Sequence, residues 1–486
     1  MKQLKEILYK VAIEAILGTT EGLVSEIAFD SRKVVEDALF VAISGTQIDG
    51  HQFIDKAIGL GAKYIICERL PENIQQEVVY IHVEDTKEAL GLIAANFYDN
   101  PSEELNLIGI TGTNGKTTVA TLLYELFESE NQPSGLISTV AIKFGKENIT
   151  ATHTTPNAIT INKCLSEMVK LGVKNCFMEV SSHGIDQKRI SGLEFKGAIF
   201  TNLTHDHLDY HDTFKNYRDT KKILFDQLPK SAFALVNIDD KNGSVMLQNC
   251  KAKKYAYALH QNADFKAQVL ESQFTGMLLK INQSEVWTQL LGEFNAYNLL
   301  AVFATAKLLE LEELSTLRGI SVLENVPGRF QTYQAPNQVM VIVDYAHTPD
   351  ALENVLVTIN KIRTRNENLY TVVGCGGNRD QDKRPKMGAT AARLSSKVIF
   401  TSDNPRDENP EEIIEQIEAG VDPVDYKKTM SITQRKEAIK VACQLSTPGD
   451  IILIAGKGHE NYQEIKGYRL PFDDYEVAKE MFSKIL

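Results

Sequence analysis

The order of apolar and polar positions divides the chain into three stretches of different rhythm. Over residues 1–103 the pattern is mixed. The strand-like run Ala38-Leu-Phe-Val-Ala-Ile-Ser-Gly45 stands between the polar segments AFDSRKV and SGTQIDGHQF. Asp99-Asn-Pro-Ser102 closes this stretch, because a residue before proline is driven out of the helical region. From 104 onward, buried-strand runs alternate with helical periodicity. Leu105–Thr111 reads as a strand, and a glycine-rich turn leads into a helix over Thr117–Ser129. Asn175–Val180 and Ala198–Asn202 read as further strands that end in polar residues. This alternation predicts a doubly wound parallel sheet, with ligands expected beyond the carboxyl ends of its strands. A helix-rich stretch over 293–325 runs into Val326-Pro-Gly-Arg-Phe330, which marks a second boundary. Beyond it Val339–Val343, Tyr370–Gly374, Val398–Ser402 and Ile451–Ala455 are strands again, each feeding a polar or glycine-rich loop. The expected architecture is α/β in three domains: a small mixed domain over 1–103, a central one over 104–330 and a third over 331–486.

A chain of 486 residues is long enough for three cores. Its net charge of -12 argues against a nucleic-acid partner, which wants a basic face, but not against small anionic ligands held by local cations and amides. Lys5, Glu6, Lys10 and Glu14 interrupt any apolar signal core at the N-terminus. No run approaches the ~20 apolar residues of a membrane-spanning helix. A cytoplasmic monomer without membrane insertion is expected. The six cysteines lack CxxC spacing, which fits reduced, packed thiols rather than zinc ligands.

The strongest chemical signal is Ile110-Thr-Gly-Thr-Asn-Gly-Lys-Thr-Thr118, between a predicted strand and helix. Gly112, Thr113, Asn114, Gly115 and the helix N-terminus offer amides to a triphosphate; Lys116 would reach the terminal phosphates, and Thr117 would offer its hydroxyl to Mg²⁺ beside Thr118. The general phosphate-loop pattern would place its first glycine at 110, where Ile110 stands. Met178-Glu-Val-Ser-Ser-His183 sets Glu179 at a strand end, where a carboxylate suits a hard cation. Thr201-Asn-Leu-Thr-His-Asp-His-Leu-Asp-Tyr-His211 gathers His and Asp residues in a loop after a strand, which favours a ligand or acid–base role. By residue type alone Lys221 and Lys222 are both solvated helix lysines, and Asn295 in Gly292-Glu-Phe-Asn-Ala-Tyr-Asn298 is a plain N-cap candidate.

The spacing TGTNGKTT, with the motifs that follow it, resembles the muramyl ligases and their folylpolyglutamate synthetase relatives, and the resemblance covers essentially the whole chain. It implies a small N-terminal domain for the UDP end of a substrate, a central P-loop-type ATPase domain, and a Rossmann-like C-terminal domain that receives an amino acid. It implies ATP as co-substrate and Mg²⁺ held by Thr117, Glu179, His207 and a carbamate on Lys221, with Lys116, Glu179, His207 and Lys221 catalytic. Asn298 would lie near the adenine, Arg329 would face the phosphates and Asp344 the ribose. Phe29, Ser31, Thr46, Gln47 and Ile48 would take the UDP end, and His153, Thr154, Thr155, Ser181, Gln187 and Arg189 the sugar and peptide; relatives often carry Asn at position 153. In the last domain Gly374-Cys-Gly-Gly-Asn-Arg-Asp380, Asp403-Asn-Pro-Arg406 and Gly456-Lys-Gly-His-Glu460 follow strands. Arg379, Asp403, Asn404, Pro405, Arg406, Gly456 and Glu460 would hold the incoming amino acid. A guanidinium fork at Arg406 suits the distal carboxylate of meso-diaminopimelate, and Glu460 its ammonium. The expected reaction is therefore ATP-dependent amide formation between meso-diaminopimelate and the D-Glu of a UDP-N-acetylmuramoyl dipeptide, in peptidoglycan synthesis. The competing expectations are the same reaction with L-Lys, a folate-type polyglutamate ligase, and a nucleotide-binding scaffold without turnover.

Overall fold

The computed structural model describes residues 1–45, 48–151, 153–364 and 366–485. Three main sheets follow one another along the chain, and each is built where the sequence concentrates β-branched and aliphatic residues. The first orders its strands Ile13–Leu17, Val79–Val83, Ala62–Cys67, Ala38–Val41 and Ile27–Ala28. Only the Ile13–Leu17 edge pairs antiparallel. The flanking segments expected as loops carry 3-10 turns at Ser31–Lys33 and Gly50–Phe53. Asp30 and Asp49 cap them by accepting the amides of Arg32 and His51, a local competition that polar composition alone does not reveal.

The central sheet has a parallel middle ordered Ser134–Ile137, Asn175–Glu179, Asn106–Thr111, Gly197–Phe200, Phe233–Asn237 and Lys253–Ala258. Strands buried on both faces read as unbroken apolar runs, and Leu107, Ile108 and Ile110 are wholly buried. The register puts Glu179 opposite Ile110 and Phe200 opposite Thr111, so three strands end on one edge. Past Lys253–Ala258 the sheet takes Phe265–Gln273 in parallel and then Gly276–Ile281 and Ser284–Thr288 antiparallel, an extension that the hydrophobic pattern did not announce. A register shift between Val269 and Glu271 breaks the alternation there.

The third sheet orders Gln331–Gln334, Met340–Asp344, Ile451–Ala455, Leu369–Val373, Lys397–Phe400 and Thr429–Ser431, parallel except at its first edge. Asp344 and Val373 both pair with Ala455, which aligns the loops after these strands. One apolar cluster joins central residues such as Ile108, Leu122 and Leu299 to Ile342, Leu356 and Leu453 of the third sheet. The first sheet carries two further clusters, around Leu39, Ile81 and Ile93 on one face, joined there by Ala158, and around Phe40, Ile65 and Tyr80 on the other. All six cysteines are free and buried, as packing residues would be. No helix among the described residues is long and apolar enough to cross a membrane.

Candidate functional site

The turn after Asn106–Thr111 needs its glycines. Gly112 has φ 150° and Gly115 φ 86°, and Gly115 caps the helix Lys116–Ser129. A Cβ on Gly112 would collide with the Thr201 hydroxyl, and one on Gly115 would stand 2.5 Å from Asn298 Oδ1. The loop is tied to the neighbouring strand end: Asn202 Oδ1 accepts from Asn114 N at 2.9 Å, and the Thr201 hydroxyl donates to Asn114 O at 2.7 Å. Lys116 Nζ turns back onto its own loop, donating to Gly112 O at 3.0 Å and Thr113 O at 2.7 Å. Burial pulls its amine below the ordinary lysine range. A cavity of about 520 Å³ opens above this loop, lined among others by Asn114, Lys116, Glu179, His207, Asn298 and Arg329.

Glu179, at the end of its strand, is wholly buried and accepts from Thr139 N at 2.7 Å and the Thr139 hydroxyl at 3.2 Å. It enters no ion pair among the described residues. His207, with φ 53°, begins the short helix Leu208–His211, and its ring lies edge-on to His183 at 4.8 Å. The two adjacent lysines of the helix Phe214–Asp226 separate cleanly. Lys222 pairs with Asp226 one turn on, at 2.5 Å. Lys221 is 1% exposed and points inward, donating to Gly112 O at 2.9 Å with its Nζ 4.7 Å from the Tyr217 ring centre. Two lysine amines thus converge on one carbonyl oxygen, that of Gly112. Burial first, and the Lys116 cation second, hold the Lys221 amine well below the usual lysine range.

Beside Glu179 lies a hydroxyl and guanidinium cluster. The Thr155 hydroxyl donates to Glu179 O at 2.9 Å and lies 3.0 Å from the Ser181 hydroxyl, which caps the helix Ser182–Asp186. Arg189 donates to Thr155 O and to Gln187 Oε1, both at 2.6 Å, and Thr154 accepts from the Thr139 hydroxyl at 3.0 Å. His153 is exposed nearby. In the first unit Phe29 and Ile48 are exposed, at 38% and 62%, while Ser31 is buried. Thr46 and Gln47 lie outside the described residues.

The third sheet closes the cavity from the other side. Arg329 Nη2 donates to Thr117 Oγ1 at 3.1 Å and its guanidinium stacks 4.3 Å from the Tyr345 ring centre. Asp344 lines the cavity, but its carboxylate already accepts from Phe330 N at 2.6 Å and Ala346 N at 2.7 Å. Burial raises its pKa. Asn295 does not cap its helix; Gly292 does, and Asn295 donates to Leu291 O at 2.8 Å and accepts from Asn298 Nδ2 at 3.0 Å. Asn114 of the phosphate loop also reaches Asp350 Oδ2, at 3.2 Å, on the helix Pro349–Ile362. Sequence reasoning singled out Asp344 in Asp344-Tyr-Ala-His-Thr-Pro-Asp350 and passed over Tyr345, His347 and Asp350, all of which line the cavity. The helix start at Pro349 was the available signal for Asp350.

The loops expected to take an amino acid meet on the carboxyl edge of the third sheet. Asn404 donates to Glu460 Oε2 at 2.7 Å and accepts from Lys457 Nζ at 2.9 Å, and Lys457 also bonds Glu460 at 2.9 Å. Asp403 is buried, and a Cβ on Gly456, at φ 114°, would stand 2.5 Å from its Oδ2. Pro405 is buried, Arg379 is exposed, and Arg406, at φ 52°, donates to Gly377 O at 2.8 Å. Two residues missed in the sequence hold these loops. Arg384, 0% exposed, forks onto Glu408 at 2.8 and 3.0 Å and reaches Gly376 O at 3.2 Å. Glu408 in turn accepts the Asn378 amide. Buried Lys457 is the other, overlooked because a lysine between two glycines reads as solvated.

Residues 110–306 match the Mur ligase middle domain, residues 328–458 the Mur ligase glutamate ligase domain, and residues 23–98 the Mur ligase family catalytic domain. The chain is 51% identical over 484 residues to the UDP-N-acetylmuramoyl-L-alanyl-D-glutamate--2,6-diaminopimelate ligase of Cytophaga hutchinsonii, covering 99% of each chain. A solved structure of a ligase of that name superposes with a TM-score of 0.71 at 32% identity, over 100% of this chain and 99% of the other. The MurF ligase of Thermotoga maritima, solved with ADP, shares the fold at a TM-score of 0.66 and 17% identity, over 95% of this chain and 98% of the other.

Proposed function

The chain belongs to the Mur ligase family, and from that premise we propose that it joins meso-2,6-diaminopimelate to the D-Glu of UDP-N-acetylmuramoyl-L-alanyl-D-glutamate at the expense of ATP, in peptidoglycan precursor synthesis. The observation that carries the reading is the meeting around one cavity of a phosphate loop, a buried carboxylate outside any ion pair among the described residues, and an arginine from the segment that leads into the next sheet.

The donors fit a hard divalent cation: Glu179 is a buried carboxylate outside any ion pair among the described residues, and the Thr117 hydroxyl lies in the same cavity. Thr117, Glu179, His207 and a carbamate on Lys221 would hold Mg²⁺, which when bound neutralises charge on the transferring phosphates. Lys221 suits carbamate formation, since an amine reacts with CO₂ only when neutral, and its burial beside Lys116 favours that form. In the first step an oxygen of the D-Glu carboxylate attacks the γ-phosphorus and ADP leaves, giving an acyl phosphate. Lys116 and Arg329 exchange their loop partners for phosphate oxygens and stabilise the charge that develops there. Arg189 and the Thr155–Ser181 pair orient the dipeptide. The amine of diaminopimelate then adds to the acyl carbon, and the tetrahedral intermediate expels phosphate. Arg406 pairs with the distal carboxylate and Glu460 with the distal ammonium. Asn298 lies by the adenine, Asp344 by the ribose, and Phe29, Ser31 and Ile48 by the UDP end, with a cytoplasmic location for the whole reaction.

The test is phosphate release with ATP, the UDP-dipeptide and either diaminopimelate or L-lysine, in the wild type and Arg406→Ala. Truncating one side of a buried charge pair costs about 2–5 kcal/mol, so kcat/KM for diaminopimelate should fall by roughly 30-fold or more, with KM for ATP unchanged. A wild type that prefers lysine, or a variant that loses both amino acids equally, refutes the diaminopimelate assignment.

A further inference from the structure

Glu464 stands at the amino-acid site with no part in the reaction as derived above. It lies on the strand Tyr462–Ile465, paired in a hairpin with Tyr468–Pro471. Its place opposite Arg406 is fixed by main-chain bonds: Arg406 N donates to Glu464 O at 3.1 Å, and Lys466 N to Arg406 O at 2.8 Å. Glu464 N donates to Asn404 Oδ1 at 2.9 Å, and Gln463 Nε2 to Asp403 O at 2.6 Å. On this frame Glu464 Oε2 sits 3.4 Å from Arg406 Nε, with the two side chains 25% and 22% exposed. Gly377 O already holds Arg406 Nη1. The Nε/Nη2 edge is therefore the side of the fork best placed for a bidentate carboxylate, and Glu464 stands on it. Glu460 is different: its Oε2 is engaged by Lys457 and Asn404.

The geometry points to Glu464 as a specificity-determining residue, an internal carboxylate that occupies Arg406 until the distal carboxylate of the incoming amino acid displaces it. The inference rests on the reading of Arg406 as the partner of that carboxylate. An amino acid with a distal carboxylate must break the Arg406–Glu464 pair to bind. One without it, such as lysine, leaves the pair intact. Glu464 therefore weakens the preferred substrate selectively and narrows the margin between the two.

The experiment is steady-state kinetics on the full-length enzyme with diaminopimelate and with L-lysine, in wild type, Glu464→Gln, Arg406→Ala and the double variant. A partly exposed ion pair is worth about two- to fivefold in an equilibrium. Glu464→Gln should lower KM for diaminopimelate by that factor with kcat unchanged, and should not raise kcat/KM for lysine. The effect should vanish in the Arg406→Ala background. An unchanged KM overturns the inference, and so does a raised KM, which would make Glu464 a partner of the substrate's ammonium. If Arg406→Ala alone leaves diaminopimelate unaffected, the parent reading fails and this inference falls with it; that outcome is visible without Glu464→Gln.

Discussion

At the scale of single residues, what distinguishes this site is the direction a side chain takes rather than its type. Lys221 and Lys222 are neighbours of identical chemistry and both are buried, yet one enters the phosphate loop and the other turns along its helix to pair with Asp226. Lys221→Ala should abolish turnover, with partial rescue by added short carboxylates. Lys222→Ala should cost about 1–3 kcal/mol of stability, since the Lys222 side chain is only 9% exposed, and leave kcat within about twofold. Phosphate-release assays and thermal melts on both variants check this, and the reverse pattern would mean that the wrong lysine carries the carbamate. Lys116→Ala should likewise lose ATP-dependent turnover while melting near the wild type, because its Nζ bonds only carbonyls of its own loop. The sequence made Lys116 legible, since GKTT in strand–turn–helix order carries its own mechanism. It could not separate Lys221 from Lys222, because helix periodicity leaves adjacent positions only about 100° apart and either can face inward. Resemblance chose between them.

At the scale of elements, the pattern of apolar runs located the strands that bear chemistry to within a residue or two. Asn106–Thr111, Asn175–Glu179, Gly197–Phe200, Met340–Asp344 and Ile451–Ala455 all appear near their expected bounds. They were readable because strands buried on both faces are unbroken apolar runs. The extension over 265–288 was not, because its exposed face and bulge dilute the alternation. Nor was the clamp that fixes the amino-acid loops, since a buried Arg384 looks like any surface arginine until Glu408 is placed against it. Glu408→Gln removes half of that clamp's charge pairing while keeping its shape. KM for the amino acid should rise about tenfold or more, with KM for ATP and for the UDP-dipeptide within twofold. An equal rise in all three would make the clamp a general stability feature. A second element-scale constraint is the contact between Gly328 and Gly458, at φ 68° and 53°. A Cβ on Gly458 would stand 2.6 Å from Gly328 O and 2.7 Å from Tyr345 Cβ. Gly458→Ala should therefore shift Arg329 through Tyr345 and lower kcat more than it lowers thermal stability, readable from kinetics beside a melt.

At the scale of the molecule, two partly buried histidines make the ligase sensitive to acid. Burial lowers His347 to about 4 and His459 to about 3, against an ordinary value of 6.5. The unfolded chain therefore binds more protons than the native one between about pH 6.5 and pH 3–4, so stability rises with pH across that window and is lost on acidification through it. Thermal melts at pH 7.5, 6 and 5 should show Tm falling steadily, and a His347→Gln variant should show a shallower fall. A flat Tm over that range would contradict the burial of these rings. The whole molecule also has a seam. The cluster around Phe40 and Tyr80 closes within the first hundred residues and the one around Leu39 and Ile93 adds only Ala158 to them among its buried members, whereas one large cluster spans the second and third sheets. On the ribosome this means that the N-terminal unit has its buried core residues in hand, Ala158 the last of them, while most of the message is still untranslated. The remainder must wait for Ile451–Ala455, almost the last strand to emerge, before its shared core can close. A nascent chain released early would carry a finished N-terminal unit joined to a phosphate loop without its counterpart, and chaperones would meet the second part far more often than the first.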